Sequence, residues 1–108
     1  MKATKVLILG REQTVIDHMA TLLHNAGLDV EGTTSDVSAT SQIQSNAIDA
    51  LVIGASVQDK SRLRLQSFAR KQGIPFIQGA LRGKEREAYV RDELVPQIRQ
   101  ATAHLAKA

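Results

Sequence analysis

Three short apolar runs in this sequence each close on a glycine: residues 5–10 (KVLILG), 49–54 (DALVIG) and 74–79 (IPFIQG). A glycine at the end of a strand lets a ligand or a second backbone approach closely, because no Cβ stands in the way. Arg11, Ser56, Arg82 and Lys84 follow these glycines within a few residues. Together with Gly10, Gly54 and Gly79 they compose an electropositive candidate site for a small anionic or nucleotide-like molecule. A plainer reading stands beside it, in which the glycines only suit the turns. Residues 79–85 (GALRGKE) come close to a phosphate-binding loop, but the glycine spacing is one residue short of G-x-x-x-x-G-K-[ST] and Glu85 stands where a magnesium-bound hydroxyl is required.

Other chemistries lack their parts. The three histidines are His18, His24 and His104; the first two are six residues apart, about 240° around a helix, so they cannot form an i, i+4 metal pair. Ser56 has no histidine or acid placed near it in sequence as a base. The sequence therefore predicts a protein that is not an enzyme and calls for no cofactor and no metal. The absence of cysteine removes disulfides, zinc–thiolate sites and thiol nucleophiles, and fits a reduced compartment such as a cytoplasm. At 108 residues the chain is read as one domain, residues 1–108. Its longest apolar runs are far short of the roughly 18 residues of a membrane span, and the first five residues lead into a strand without a signal-peptide core.

Charge is unevenly placed. Residues 1–54 carry Lys2, Lys5 and Arg11 against six acids, whereas residues 55–108 carry eleven basic side chains against five acids, so the net charge of +3 belongs to the second half. Within it Lys60, Arg62, Arg64, Arg70 and Lys71 form a run with no intervening acid. Such a run is either a footprint for phosphates or the solvated face of one amphipathic helix. With only Phe68, Phe76 and Tyr89 as aromatics, stacking platforms are scarce, which argues against sequence-specific nucleic-acid recognition.

The elements that must position these residues alternate. Residues 5–10 read as a strand buried on both faces. Thr14 and Asp17 read as a capping box for a helix carrying Val15, Met19, Leu22, Leu23 and Ala26 inward and stopped at Gly27. Residues 28–34 (LDVEGTT) read as an edge strand. A helix over residues 37–46 follows, capped by Ser35 or Asp36, with Val37, Thr40 and Ile43 facing inward. The strand 49–54 precedes a helix over 60–72, with Leu65, Phe68 and Ala69 inward and Gly73 as its stop. The strand 74–79 comes next. Residues 80–108 read as a loop or short turn and then a helix broken or kinked near Pro96, with Leu94, Ile98, Ala101 and Leu105 as an apolar seam. That seam either docks on the parent sheet or pairs with another chain. Alternating strands and helices imply right-handed crossovers and a parallel α/β sandwich of three layers, strand order 2-1-3-4, with the switch point between the first and third strands. A short fifth strand at residues 88–91 (AYVR) is an alternative to helix there.

On these residues the sequence resembles the receiver domains of bacterial two-component response regulators, over roughly residues 4–80. KVLILGRE is similar to the family's first strand and acidic pair, DALVIG to the strand ending in the phospho-accepting aspartate, and IPFIQGA to the strand ending in a hydroxyl residue. The resemblance implies a flavodoxin-like fold and a signalling role. It also places Gly10 and Arg11 at the magnesium-binding acids, Gly54 at the phospho-acceptor and Gly79 at the hydroxyl; no lysine matches the end of a fifth strand. Asp49 lies at the opposite end of its strand and Asp59 well into the following loop, so neither replaces the acceptor. The resulting expectation is a non-catalytic pseudo-receiver, a signalling or protein-interaction module without aspartate phosphorylation. Its partner would be another protein or a second copy, engaged through Arg62 and Arg64 or through Leu94, Ile98 and Leu105. The alternative is the small anionic or nucleotide-like ligand at the strand ends.

Overall fold

The computed structural model describes residues 4–45, 47–79 and 85–103. β1 (Lys5–Leu9), β2 (Asp29–Thr33), β3 (Ala50–Ile53) and β4 (Phe76–Gln78) form one parallel sheet in the order β2-β1-β3-β4. The pairing sets Val6 against Val30 and Ala50, and Leu51 against Phe76. β1 and β3 occupy the centre because their side chains are apolar on both faces: Val6, Leu7, Ile8 and Leu9 in one, Ala50 to Ile53 in the other, all buried. β2, with Asp29, Glu31 and Gly32, takes the outer edge as its composition predicts. At the N-terminal end of the sheet the Asp49 carboxylate accepts from the Lys5 backbone N–H at 2.8 Å. Its place far from the glycine-ended edge is the one expected.

The helices cover both faces. α1 (Gln13–Asn25) and the C-terminal helix pack on one, where Ile16, Met19 and Leu23 meet Val6, Ile8, Val52, Leu94 and Ile98. α2 (Asp36–Gln44) and α3 (Asp59–Lys71) cover the other, joining Ile43, Leu65 and Ala69 to Leu7, Leu9, Leu51 and Ile53. Glycine ends α1 and α3 in the same way. Gly27 (φ 92°) and Gly73 (φ 71°) adopt the left-handed conformation, and the following N–H groups of Leu28 and Ile74 return to the carbonyls of Leu23 and Ala69. Ser35 caps α2 by accepting from the Ser38 N–H at 3.2 Å.

Four expectations are corrected. α1 begins at Gln13, one residue before Thr14, and its N-cap Glu12 makes no side-chain cap; the Thr14–Asp17 box does not form. On α2 the buried positions are Ala39 and Ile43, four residues apart on one helix face, while Val37 is 80% exposed. Residues 88–91 are helical, not a fifth strand. Tyr89, Val90, Leu94 and Ile98 are buried at helical spacing, and that stripe fixes the conformation.

The fourth concerns the break expected near Pro96, which does not occur; a widened turn stands just before the proline instead. α4 (Arg86–Tyr89), a π-type turn (Val90–Leu94) and α5 (Val95–Ala101) form one uninterrupted helix, with right-handed helical angles at both joins. Proline cannot donate to the carbonyl four residues back and its ring crowds that carbonyl. The turn widens just before it, so that the Val95 N–H bonds to the Val90 carbonyl, five residues earlier, and the helix continues without breaking. Residues 80–84, where a loop or short turn was expected, lie outside the described residues.

Candidate functional site

The parallel ladder carries the three glycines to one edge. Gly10 N–H bonds to the Thr33 carbonyl at 3.2 Å, Gly54 N–H to that of Leu9 at 2.8 Å and Gly79 N–H to that of Ile53 at 2.8 Å. Each glycine therefore continues its strand by one pairing step, at the carboxyl ends where α/β sheets hold ligands. A Cβ at Gly54 would lie 3.5 Å from the Leu9 carbonyl oxygen, an ordinary contact, whereas one at Gly10 would crowd Ile16 at 3.2 Å. Beside the glycines, on the side of α1 and the C-terminal helix, opens a cleft of about 410 Å³. Val15, Ile16, Met19 and Val52 line it, with Ala55, Ser56, Arg86 and Tyr89 completing the wall. Glu12 is the acid on this wall among the described residues, and no group of three or more His, Cys, Asp or Glu side chains among them could hold a metal ion.

The expected cations are distributed differently from the sequence reading. Arg11 touches the cleft but its guanidinium is engaged elsewhere: Nη1 donates to the Thr34 carbonyl at 2.7 Å, Nη2 to Asp36 Oδ1 at 2.9 Å and Nε to Gln58 Oε1 at 3.2 Å. Asp36 gathers two more donors, Ser61 Oγ at 2.6 Å and Arg64 Nη2 at 3.1 Å. The Ser61 hydrogen bond is the main cause that holds the Asp36 carboxyl below its ordinary range; partial burial opposes it, and Arg11 and Arg64 reinforce it. Ser56 is exposed at the rim. Arg82 and Lys84 lie outside the described residues, as does His104.

The candidate interaction residues divide. Arg64 is exposed on α3, and Arg62 is half-buried, donating to Asp59 and Gln78. Leu94 and Ile98 are completely buried, so they are core residues of this chain and not part of a surface; the seam docks on the parent sheet. Leu105 lies outside the described residues. Arg86 was not anticipated. Its Nη1 meets His18 Nδ1 at 2.8 Å across 68 positions of sequence, and its buried Nε has no hydrogen-bond partner among the described residues. No local pattern announces this pair, because only the docking of the C-terminal helix on α1 brings it together.

This geometry defines the fold class. The chain is similar to the receiver domain of NtrC4 from Aquifex aeolicus, with a TM-score of 0.70 at 12% identity, over 94% of this chain and 98% of that one. It is similar to a response regulator receiver protein from Sinorhizobium medicae, with a TM-score of 0.65 at 19% identity, over 99% and 97%. A de novo designed Rossmann 2x3 protein gives 0.61 at 13% identity, over 95% and 89%. No family model and no curated protein matches the sequence. The chain thus has the receiver fold, a flavodoxin-like parallel sandwich, and no helix among its described residues is long and apolar enough to cross a membrane.

Proposed function

We propose that this protein is a receiver-fold signalling module that acts by binding a protein partner and does not accept a phosphoryl group on aspartate. One observation carries the reading: Gly54 stands at the carboxyl end of the central strand β3, between Gly10 and Gly79, where the receiver resemblance requires a carboxylate flanked by acids and a hydroxyl. Transfer of a phosphoryl group to aspartate needs a carboxylate nucleophile, a cation held by further carboxylates and a group that neutralises the developing charge. Of the described residues on the cleft wall, Glu12 alone offers a carboxylate, and it is exposed at the start of α1. The exposed side of α3, with Lys60, Arg64, Arg70 and Lys71, presents a basic face suited to an acidic partner surface. A reduced, cytoplasmic setting fits the cysteine-free composition.

The test is direct. The purified protein is incubated with acetyl phosphate and magnesium, and its intact mass is measured before and after. The expected result is an unchanged mass; a phosphoryl adduct mapped to an aspartate or glutamate overturns the reading. The small-anion alternative loses the support of Arg11, whose three kinds of nitrogen are all bonded within the protein.

A further inference from the structure

The helical layer of α2 and α3 carries a groove on its outer side. Val37, Thr40, Ser41 and Gln44 recur at i, i+3, i+4 and i+7, which sets them on one side of α2, and with Arg64 and Phe68 of α3 they line a space of about 420 Å³. The α2 side is uncharged: a valine, two hydroxyls and an amide. Val37 is 80% exposed and Phe68 half-buried, so apolar surface remains open in the groove. The α3 side is cationic. Lys60 stands four residues before Arg64 and Lys71 three after Phe68, on the same side of the helix. Both lysines are exposed, with no hydrogen-bond or ion-pair partner among the described residues. Asp36 does not cancel this charge, because its carboxylate is already paired with both Arg11 and Arg64. Arg64 spends only Nη2 on that pair, and its side chain is 55% exposed.

We propose that the groove between α2 and α3 docks an acidic amphipathic helix of a partner protein, its apolar side chains on Val37 and Phe68 and its carboxylates toward Lys60, Arg64 and Lys71. Charge complementarity selects the sign of the partner, and the spacing of the cations selects its extent. Lys60 and Lys71 lie roughly 16 Å apart along α3 at 1.5 Å per residue, too far to converge on one small anion. The nine residues of α2 run about 13 Å, which matches two to three turns of a helix laid beside them. Such a helix reads a groove through apolar side chains spaced three or four residues apart. A nucleic acid fits less well, since α2 contributes no cation to the opposite rim and Phe68 is the one aromatic in the groove. A membrane surface needs a broader apolar face than Val37 and Phe68 provide.

The groove's assignment rests on the reading of this chain as a protein-binding module, and the experiment separates the two. The full chain, labelled with ¹⁵N, is titrated with three probes while backbone amide shifts are followed. The first is an alanine-based peptide of about sixteen residues, long enough to hold a helix in water, with leucines on one face and glutamates beside them. The second is the same peptide with glutamine for every glutamate, and the third is a thymidine oligonucleotide. Saturable shifts at Val37, Thr40, Gln44, Arg64 and Phe68 are expected with the acidic peptide. Binding of the glutamine peptide should be at least tenfold weaker, and the oligonucleotide should give no saturable shift at those amides. The double variant Lys60→Glu, Lys71→Glu, with both changes at exposed positions, should weaken the acidic peptide at least tenfold. Should that variant lose its dispersed spectrum, Val37→Asp provides the second arm. It falls in the first turn of α2, where a helix tolerates an acid, and should weaken binding at least fivefold by removing an apolar contact and adding a like charge. Equal binding of the two peptides, saturable oligonucleotide binding at the same amides, unchanged affinity in the folded variant, or no saturable shift with the acidic peptide each overturn the proposal. Saturable binding of the acidic peptide only at amides away from the groove overturns the groove and leaves the protein-binding reading standing. A phosphoryl adduct in the acetyl phosphate experiment would instead overturn that reading.

Discussion

The two sides of the glycine-ended sheet edge use their polar groups in opposite ways. Toward α2 and α3, Arg11, Gln58, Ser61 and Arg64 form a closed network around Asp36, whose two carboxylate oxygens accept from three side chains. Toward α1 and the C-terminal helix, the wall is largely apolar and the Arg86 Nε has no partner among the described residues. The sequence places Arg11 next to Gly10 and so beside the candidate site, but a cation goes to the strongest acceptor within reach. Asp36, 25 residues away in sequence, is that acceptor. One side of the edge is therefore a clamp and the other a cleft.

The largest expected effect tests the floor on which the cleft side rests. Ile98→Asp would put a charge where the side chain is completely buried among residues of the sheet and α1. Deletion of a buried isoleucine side chain to alanine alone costs about 2–5 kcal/mol, and an unpaired buried charge adds to it. Against a typical total stability of about 5–15 kcal/mol, the variant should lose its cooperative thermal transition by circular dichroism. A folded Ile98→Asp would mean that the C-terminal helix is not part of the core. The next effect compares two glycines. A Cβ at Gly32 would fall 2.2 Å from Cγ2 of Ile16, a β-branched side chain with little rotamer freedom in its helix, so Gly32→Ala should cost about 1–3 kcal/mol by urea denaturation. Gly54→Ala, with an ordinary 3.5 Å contact, should stay within about 0.5 kcal/mol. Equal costs would show that the strand-end edge is packed and the cleft is closed.

The clamp side makes a smaller prediction with a definite sign. The carboxyl of Asp36 is held below its ordinary range in the folded protein, so the unfolded chain binds its proton first as pH falls. Its contribution is fully present at neutral pH, above the unfolded value, and is lost as pH falls through the folded value. Asp36→Asn should lower stability at pH 7 by about 1–2 kcal/mol, the scale of hydrogen bonds to a charged group on a partly exposed side chain. It should also flatten the acid limb of the stability profile measured by urea denaturation between pH 7 and the acid limit of folding. An unaltered acid limb would remove Asp36 from the centre of the network.

The strands and their order were legible because buried parallel strands are continuous apolar runs, and the runs of β1 and β3 can sit nowhere but the middle. Gly27, Gly73 and Ser35 were legible because caps are local chemistry. Pro96 misled as to a break because a missing donor is a local fact, whereas the widened turn that accommodates it is sustained by Tyr89, Val90, Leu94 and Ile98, which share one core with the sheet. The same stripe explains the absent strand at 88–91. At the site, the three glycines were legible from their runs, but the fates of Arg11 and Arg86 were not. Both depend on partners brought close by tertiary docking.

The smallest effect separates helix faces on the clamp side. Val37 and Ile43 share α2, yet Val37 is 80% exposed and Ile43 is completely buried beneath α2. Ile43→Ala removes packed methylenes from the core shared with β1, β3 and α3, and about 2–5 kcal/mol should follow. Val37→Ala removes little that is packed. A β-branched side chain also loses rotamer freedom in a helix, so alanine there should stabilise by a few tenths up to about 0.6 kcal/mol. A measured loss above about 1 kcal/mol for Val37→Ala would show that the outer start of α2 is covered in solution.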